Sequence, residues 1–247
     1  MANQTQRPDT ALHNTSHLMQ YHDLIESIVA AMDARDAYTA KHSDRVADMV
    51  LVLASALSLS GDETTLLHMA AHLHDIGKIA VPDSVLRKAG PLTNPEWEEM
   101  RRHPVTGYEI LRKVDDFKEI AVLVRHHHER WDGRGYPDGL RGADIPLGSR
   151  ILAVADSIDA MMSSRSYRPA MTSAACRREI ERNSGIMYDP CVAAAALEHW
   201  DELVSRYAEA DTPQTPYFDR MQLEHTRQAH DYLLTHQGSR ITLPELA

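Results

Sequence analysis

Apolar residues in this chain recur three and four positions apart along most of its length, and nowhere do they sustain an alternation one by one. Between residues 21 and 34 they fall at Leu24, Ile25, Ile28, Val29 and Met32, and between 43 and 59 at Val46, Met49, Val50, Leu53 and Leu57. That spacing lays an apolar stripe along one face of a 3.6-residue helix. A sheet would need a period of two with β-branched residues, and no sustained run of that kind occurs. The spacing therefore predicts an all-α fold, with further helices over 63–74, 96–102, 104–112, 116–127, 146–162, 173–182 and 190–207. Local chemistry sets the breaks. Ser60-Gly61-Asp62-Glu63 stops one helix and starts the next, and Asn94-Pro95-Glu96 reads as an N-cap, a proline at N1 and an acidic first turn. Residues 81–95 read as a Pro/Gly-rich loop.

Aromatic side chains are few, so the core has to be built mainly from Ala, Leu, Ile, Val and Met. Residues 16–208 are expected to form the folded domain, with a polar, flexible tail over 1–15 and a linker and C-terminal helix over 209–247. Thr212-Pro213-Gln214-Thr215-Pro216 marks that linker, and the helix over 217–236 suits packing on the parent domain or a dimer contact. A net charge of −10 argues against a nucleic-acid polymer as partner, so an anionic substrate would need positive charge gathered at one site. Residues 1–10 are polar and contain Pro8, unlike a signal peptide. The longest apolar stretch, 49–59, is too short to span a bilayer, so no membrane insertion is expected. Cys176 and Cys191 read as small buried apolar residues, which fits a reducing cytoplasm.

Histidine is the outlier: fifteen of them against eleven glycines, although glycine is ordinarily among the commonest residues. Residues 126–139, HHHERWDGRGYPDG, join a histidine cluster to a glycine-rich turn. Adjacent neutral imidazoles suit a transition metal. Gly133, Gly135, Tyr136 and Pro137 suit a tight, anion-binding turn that lets backbone approach a ligand. Upstream stands His74-Asp75-Ile76-Gly77-Lys78, with His42 opening one predicted helix, His103-Pro104 opening another and Val154-Ala155-Asp156 inside a third. In that order, across about residues 21–200, these motifs resemble the HD-GYP phosphodiesterases, HD-superfamily hydrolases that cleave the bacterial messenger cyclic di-GMP.

The resemblance implies an HD-superfamily helical bundle with an inserted GYP loop and a C-terminal helical extension. It makes His42, His74, Asp75, His103, His127, His128 and Asp156 metal ligands, with Asp75 bridging two divalent transition-metal ions. Imidazole with carboxylate suits Fe or Mn first, with Ni, Zn or Co as alternatives. Within 126–128 spacing alone leaves the register open, and alignment on His-His-Glu selects His127 and His128. Members with three metals carry a Glu where this chain has Tyr38, so two ions are expected. Lys78 is expected to take part in catalysis and, with Tyr136, Arg165 and Arg168, in substrate binding. Glu129 and Asp132 are expected to brace the loop, Asp159 to be structural, and His68, His72 and His126 to stay out of the ligand set. The implied reaction is attack by a metal-bridging hydroxide on cyclic di-GMP, giving pGpG and, after a second cut, GMP. The alternatives are a hydrolase preferring pGpG or another cyclic dinucleotide, and a binding module with little turnover. About twenty residues precede the first predicted helix, too few for the sensory or receiver domain that such enzymes commonly carry. Solitary action, a regulatory protein partner, a homodimer and a fragment all stay open at this point.

Overall fold

The computed structural model describes residues 21–35, 41–163 and 169–208, and the expectations for the tail, the linker with its following helix, Tyr38, Arg165 and Arg168 lie outside them. The described residues are helical, and their only β feature is an isolated bridge between Ser184 and Tyr188. The α-helices are α1 His22–Arg35, α2 His42–Ala56, α3 Gly61–Leu73, α4 Asp83–Leu86, α5 Asn94–Met100, α6 His103–Leu111, α7 Lys118–His126, α8 Leu147–Met162, α9 Ser173–Arg182, α10 Pro190–Glu198 and α11 Trp200–Ala208.

The apolar stripes become the core. Val46, Met49, Val50 and Leu53 of α2 are buried against Leu67, Met69, Ala70 and Leu73 of α3 and Ile151, Leu152, Ala155 and Ile158 of α8 in one cluster. Around this centre α7 packs on α3, and α6 packs on both α7 and the 3-10 turn Ile76–Ala80. Close to the site, Gly77 lets the 3-10 turn approach the start of α6, where His103 sits.

Helix starts follow the predicted chemistry closely. Ser60 caps α3 through a reciprocal capping box: its Oγ accepts from Glu63 N at 3.3 Å and its own N–H donates to Glu63 Oε2 at 2.9 Å. At α5 the cap is Thr93 rather than Asn94, one residue earlier than expected, because Glu96 reaches back to the Thr93 N–H at 2.7 Å. The 81–95 loop contains the single turn α4, steadied by Arg35, whose guanidinium donates to the carbonyls of Lys78, Ile79 and Val81 and to Asp83. The predicted 190–207 helix is two helices broken at His199. The break turns Trp200 inward, where it is buried and its indole N–H donates to Ser173 Oγ at 2.9 Å. Cys191 is exposed, contrary to the sequence reading, while Cys176 is buried as expected. No described helix is long and apolar enough to cross a membrane.

Candidate metal centre

Four of the histidines sit at helix ends, where the backbone direction changes and side chains from separate elements can converge. His42 opens α2, His74 closes α3, His103 opens α6 and His127 closes α7, while Asp156 projects from inside α8. They form two groups. In each of His42–His74–Asp156 and His103–His127–His128, one potential ligand atom per residue lies within 4.8 Å of the others. Asp75 stands between them. Its Oδ2 is 3.4 Å from His74 Nε2 and 3.7 Å from His42 Nε2, and its Oδ1 is 3.3 Å from His103 Nε2. One carboxylate thus turns an oxygen toward each group.

The hydrogen bonds fix which ring nitrogens face inward. The Nδ1 atoms of His74, His103 and His127 lie 2.7, 2.8 and 2.6 Å from the carbonyls of Ala71, Met100 and Val124. His42 Nδ1 lies 2.7 Å from Asp159 Oδ2. Carbonyls and carboxylates only accept, so each Nδ1 carries a proton and each ring turns its Nε2 to the centre. These Nε2 atoms then meet each other: His42 Nε2 is 3.1 Å from His74 Nε2, and His103 Nε2 is 3.4 Å from His127 Nε2. Two such nitrogens can face each other only around a shared cation, a proton in the free protein or a metal ion in its place. The donor set therefore fits divalent metal ions, with the outer hydrogen bonds aiming the rings.

The local field has a sign on each side. Burial works to lower the His74 pKa, but the Asp75 and Asp156 carboxylates outweigh it and push the imidazole up to about 9. Burial also opposes the Asp75 charge, yet Lys78, His74 and His103 hold that carboxyl well below its usual range. Across the site, burial lowers His103 to about 4 despite Asp75, and burial with neighbouring imidazoles holds His127 and His128 well below the ordinary histidine value.

A stability prediction follows for the metal-free protein. A histidine with a depressed folded pKa stays neutral in the fold while the unfolded chain takes up a proton, so stability is lost as pH falls below 6.5. His103 alone, at about 4 in the fold, accounts for about 3 kcal/mol lost between pH 6.5 and 4. His127 and His128 add to it. The His74 contribution is fully present below 6.5 and fades only as pH rises toward 9, so it leaves the acid window unchanged. Urea titrations of chelator-treated protein should show the midpoint falling across that window. A flat midpoint would contradict the buried neutral imidazoles.

The GYP loop is closed upon itself. Glu129 Oε1 accepts from Asp138 N and Gly139 N at 2.7 and 3.0 Å, Asp132 Oδ1 from Arg134 N at 3.1 Å, and the His128 carbonyl from Tyr136 N at 3.3 Å. Glu129 and Asp132 therefore brace the loop, as the sequence suggested. The expected anion-binding turn is a different matter, because these N–H groups already have partners. The glycines serve closure: a Cβ on Gly135 would lie 2.3 Å from Arg130 N, and Gly133 has a φ of +79°. The closed loop lays the Tyr136 ring on His128, with centroids 4.9 Å apart. His126 faces away, with its ring nitrogens near the Val122 carbonyl and Asp138.

Lys78 lies beside the centre, its Nζ 2.5 Å from Asp75 Oδ2. His68 and His72 pack edge to face on α3, outside both groups. Asp159 is structural, as expected, and its partners lie on other elements of the fold. Its carboxylate takes the Nδ1 side of His42 and also accepts from Arg45 Nε at 2.5 Å and the Tyr207 hydroxyl at 2.7 Å. Burial opposes its charge, but His42 and Arg45 hold its pKa far below the usual carboxylate range. The spacing of Asp156 and Asp159 on one helix was the available signal, since residues three apart are neighbours on the helix surface.

Comparison with known proteins gives consistent findings. The family model described as HD domain matches residues 23–192. The chain is 43% identical over 175 residues to the cyclic di-GMP phosphodiesterase response regulator RpfG of Xanthomonas campestris pv. campestris, covering 70% of this chain and 46% of that protein. It is 40% identical over 188 residues to 3'3'-cGAMP-specific phosphodiesterase 2 of Vibrio cholerae, covering 74% of this chain and 35% of that one. The chain thus spans less than half the length of these two relatives. The solved structure of Bd1817, a HDG"Y"P protein from Bdellovibrio bacteriovorus, superposes with a TM-score of 0.55 at 18% identity over 78% of this chain and 69% of that one, a likeness of fold.

Proposed function

Because the chain belongs to the HD domain family, we propose that it is a metal-dependent phosphodiesterase that opens cyclic di-GMP to linear pGpG, with GMP as the product of any second cut. The observation that carries this reading is the Asp75 carboxylate, one oxygen toward each of two groups whose Nε2 atoms converge. In this reading His42, His74 and Asp156 hold one divalent ion, His103, His127 and His128 hold the second, and Asp75 is shared. Bound there, such ions supply a deprotonated water at neutral pH and neutralise charge on the phosphoryl group.

The remaining residues bind and orient. Lys78 is paired with Asp75 yet partly open to solvent, so its ammonium can reach a non-bridging phosphoryl oxygen as negative charge develops. The Tyr136 phenol has its pKa raised by burial and by Asp156 and Asp75, so it keeps its proton and acts as a hydrogen-bond donor at neutral pH. Arg165 and Arg168 are assigned to the phosphates on the strength of their motif alone. The metal identity, Fe or Mn first, and a cytoplasmic setting belong to the same proposal.

Chromatography of products from the metal-loaded chain with cyclic di-GMP, pGpG and 3'3'-cGAMP tests it, alongside elemental analysis expected to give two ions per chain. Binding of cyclic di-GMP without turnover would replace the enzyme by a binding module. The 40% identity to a 3'3'-cGAMP-specific enzyme supports a second reading, in which that dinucleotide is the better substrate.

Lys78→Ala is expected to retain the metals and slow turnover by about 2.7–4 kcal/mol, as for loss of one donor to a developing oxyanion. Near-normal turnover at full metal occupancy would remove Lys78 from the chemistry.

A further inference from the structure

Helix α5 contributes no buried residue, yet it is well made. It has a capping box between Thr93 and Glu96, a proline in its first turn, and an ion pair from Lys88 Nζ to Glu96 Oε2 at 2.5 Å. What it displays is Trp97, 45% exposed in a chain that otherwise buries Trp200 to 4%. Beside it, Arg101 places its guanidinium carbon 6.0 Å from the Trp97 ring centre and 5.6 Å from that of Tyr136. Tyr136 in turn lies on His128. A ladder of flat groups therefore runs outward from the histidine cluster through Tyr136 and Arg101 to an open indole.

We propose that Trp97 and Arg101 form a nucleobase-stacking subsite at the rim of the histidine centre. This deepens the phosphodiesterase reading and rests on it for the identity of the natural substrate. A nucleotide whose phosphate lies at the histidine cluster carries its base a few bonds away, toward that rim. An indole face and a guanidinium plane both stack on bases, and the cation adds attraction to the ring and to the anionic ligand. The Arg101–Glu98 contact, at 3.7 Å between exposed groups, is too weak to hold Arg101 away from a ligand. Core packing does not account for Trp97, since nothing on its helix is buried.

The test is calorimetric binding of GMP and of ribose 5-phosphate, which lacks the base, to the metal-loaded full chain and its variants. The wild-type chain should prefer GMP. Trp97→Ala should lose about tenfold in GMP affinity, within the range of one base–aromatic stack, with ribose 5-phosphate binding unchanged. Trp97→Phe should restore most of it, and Arg101→Ala should weaken GMP more than ribose 5-phosphate. Equal losses for both ligands, or no loss in Trp97→Ala, would overturn the subsite. So would a change from dimer to monomer with GMP binding intact, which would make Trp97 a subunit contact. A wild-type chain that shows the Trp97-dependent preference but cleaves no cyclic dinucleotide would keep the subsite and reject the phosphodiesterase reading.

Discussion

Replacement of Asp75 by alanine is expected to abolish phosphodiesterase turnover, by at least about a thousandfold or roughly 4 kcal/mol of transition-state stabilisation. Three effects of the one carboxylate combine here. Its two oxygens face His42 and His74 on one side and His103 on the other, so in the proposed centre both groups would lose a ligand. Its charge is the main reason His74 is pushed up to about 9 against burial, so the field that favours a cation weakens with it. Lys78 loses its 2.5 Å partner and, in the proposed reaction, the contact that would orient it toward the phosphoryl group. Elemental analysis provides a readout apart from activity, and metal content should fall below that of the wild-type chain. Asp75→Asn should behave almost as badly, since the amide keeps the shape and loses the charge. An Asp75→Ala protein with full metal content and measurable turnover would exclude the shared-carboxylate centre.

The second large effect is expected at a residue with no side chain. A Cβ on Gly77 would lie 1.9 Å from the His103 carbonyl oxygen and 2.6 Å from Gly107 N. Both are backbone atoms of α6, so no rotamer change relieves the clash and the helix that begins with His103 must move. Gly107 has little room to give, because its own Cβ position is 2.9 Å from Val124 of α7. Gly77→Ala should therefore cost about 3 kcal/mol, the upper part of the range for overpacking, and lower metal affinity through displaced His103. Gly90→Ala is the matched control, since nothing lies within 4 Å of a Cβ there. Thermal denaturation and metal titration of the two variants should diverge. Equal behaviour would mean that α6 tolerates displacement and that His103 is not held by this contact.

Much of this was legible beforehand for identifiable reasons. Helix periodicity is a local property, and Val46, Met49, Val50 and Leu53 reveal the buried face of α2 without knowledge of what covers it. Capping is local too, as Ser60 and Glu63 illustrate. The break at His199 was invisible, because it depends on Trp200 finding Ser173 on another helix. The Cys191 misreading has the same origin: an Ala-rich helix has an outer side that composition does not reveal. Expectations for Arg165, Arg168 and Tyr38 rest on sequence alone.

By itself the sequence determined the helical class, the motif order and the residue types able to bind a metal. These depend on spacing and side-chain chemistry, which a linear chain displays directly. Three of the imidazoles are oriented by local acceptors, the Ala71, Met100 and Val124 carbonyls three residues back, whereas tertiary structure alone oriented His42, through Asp159 across 117 positions. It also decided that the loop's N–H groups close the loop, since Glu129 and Asp132 claim several of them. The pairing of Arg101 with Tyr136 and Trp97 arises in the same way. A spacing rule can nominate a donor, but only packing in three dimensions determines which distant acceptor it meets and which ring nitrogens converge on the centre.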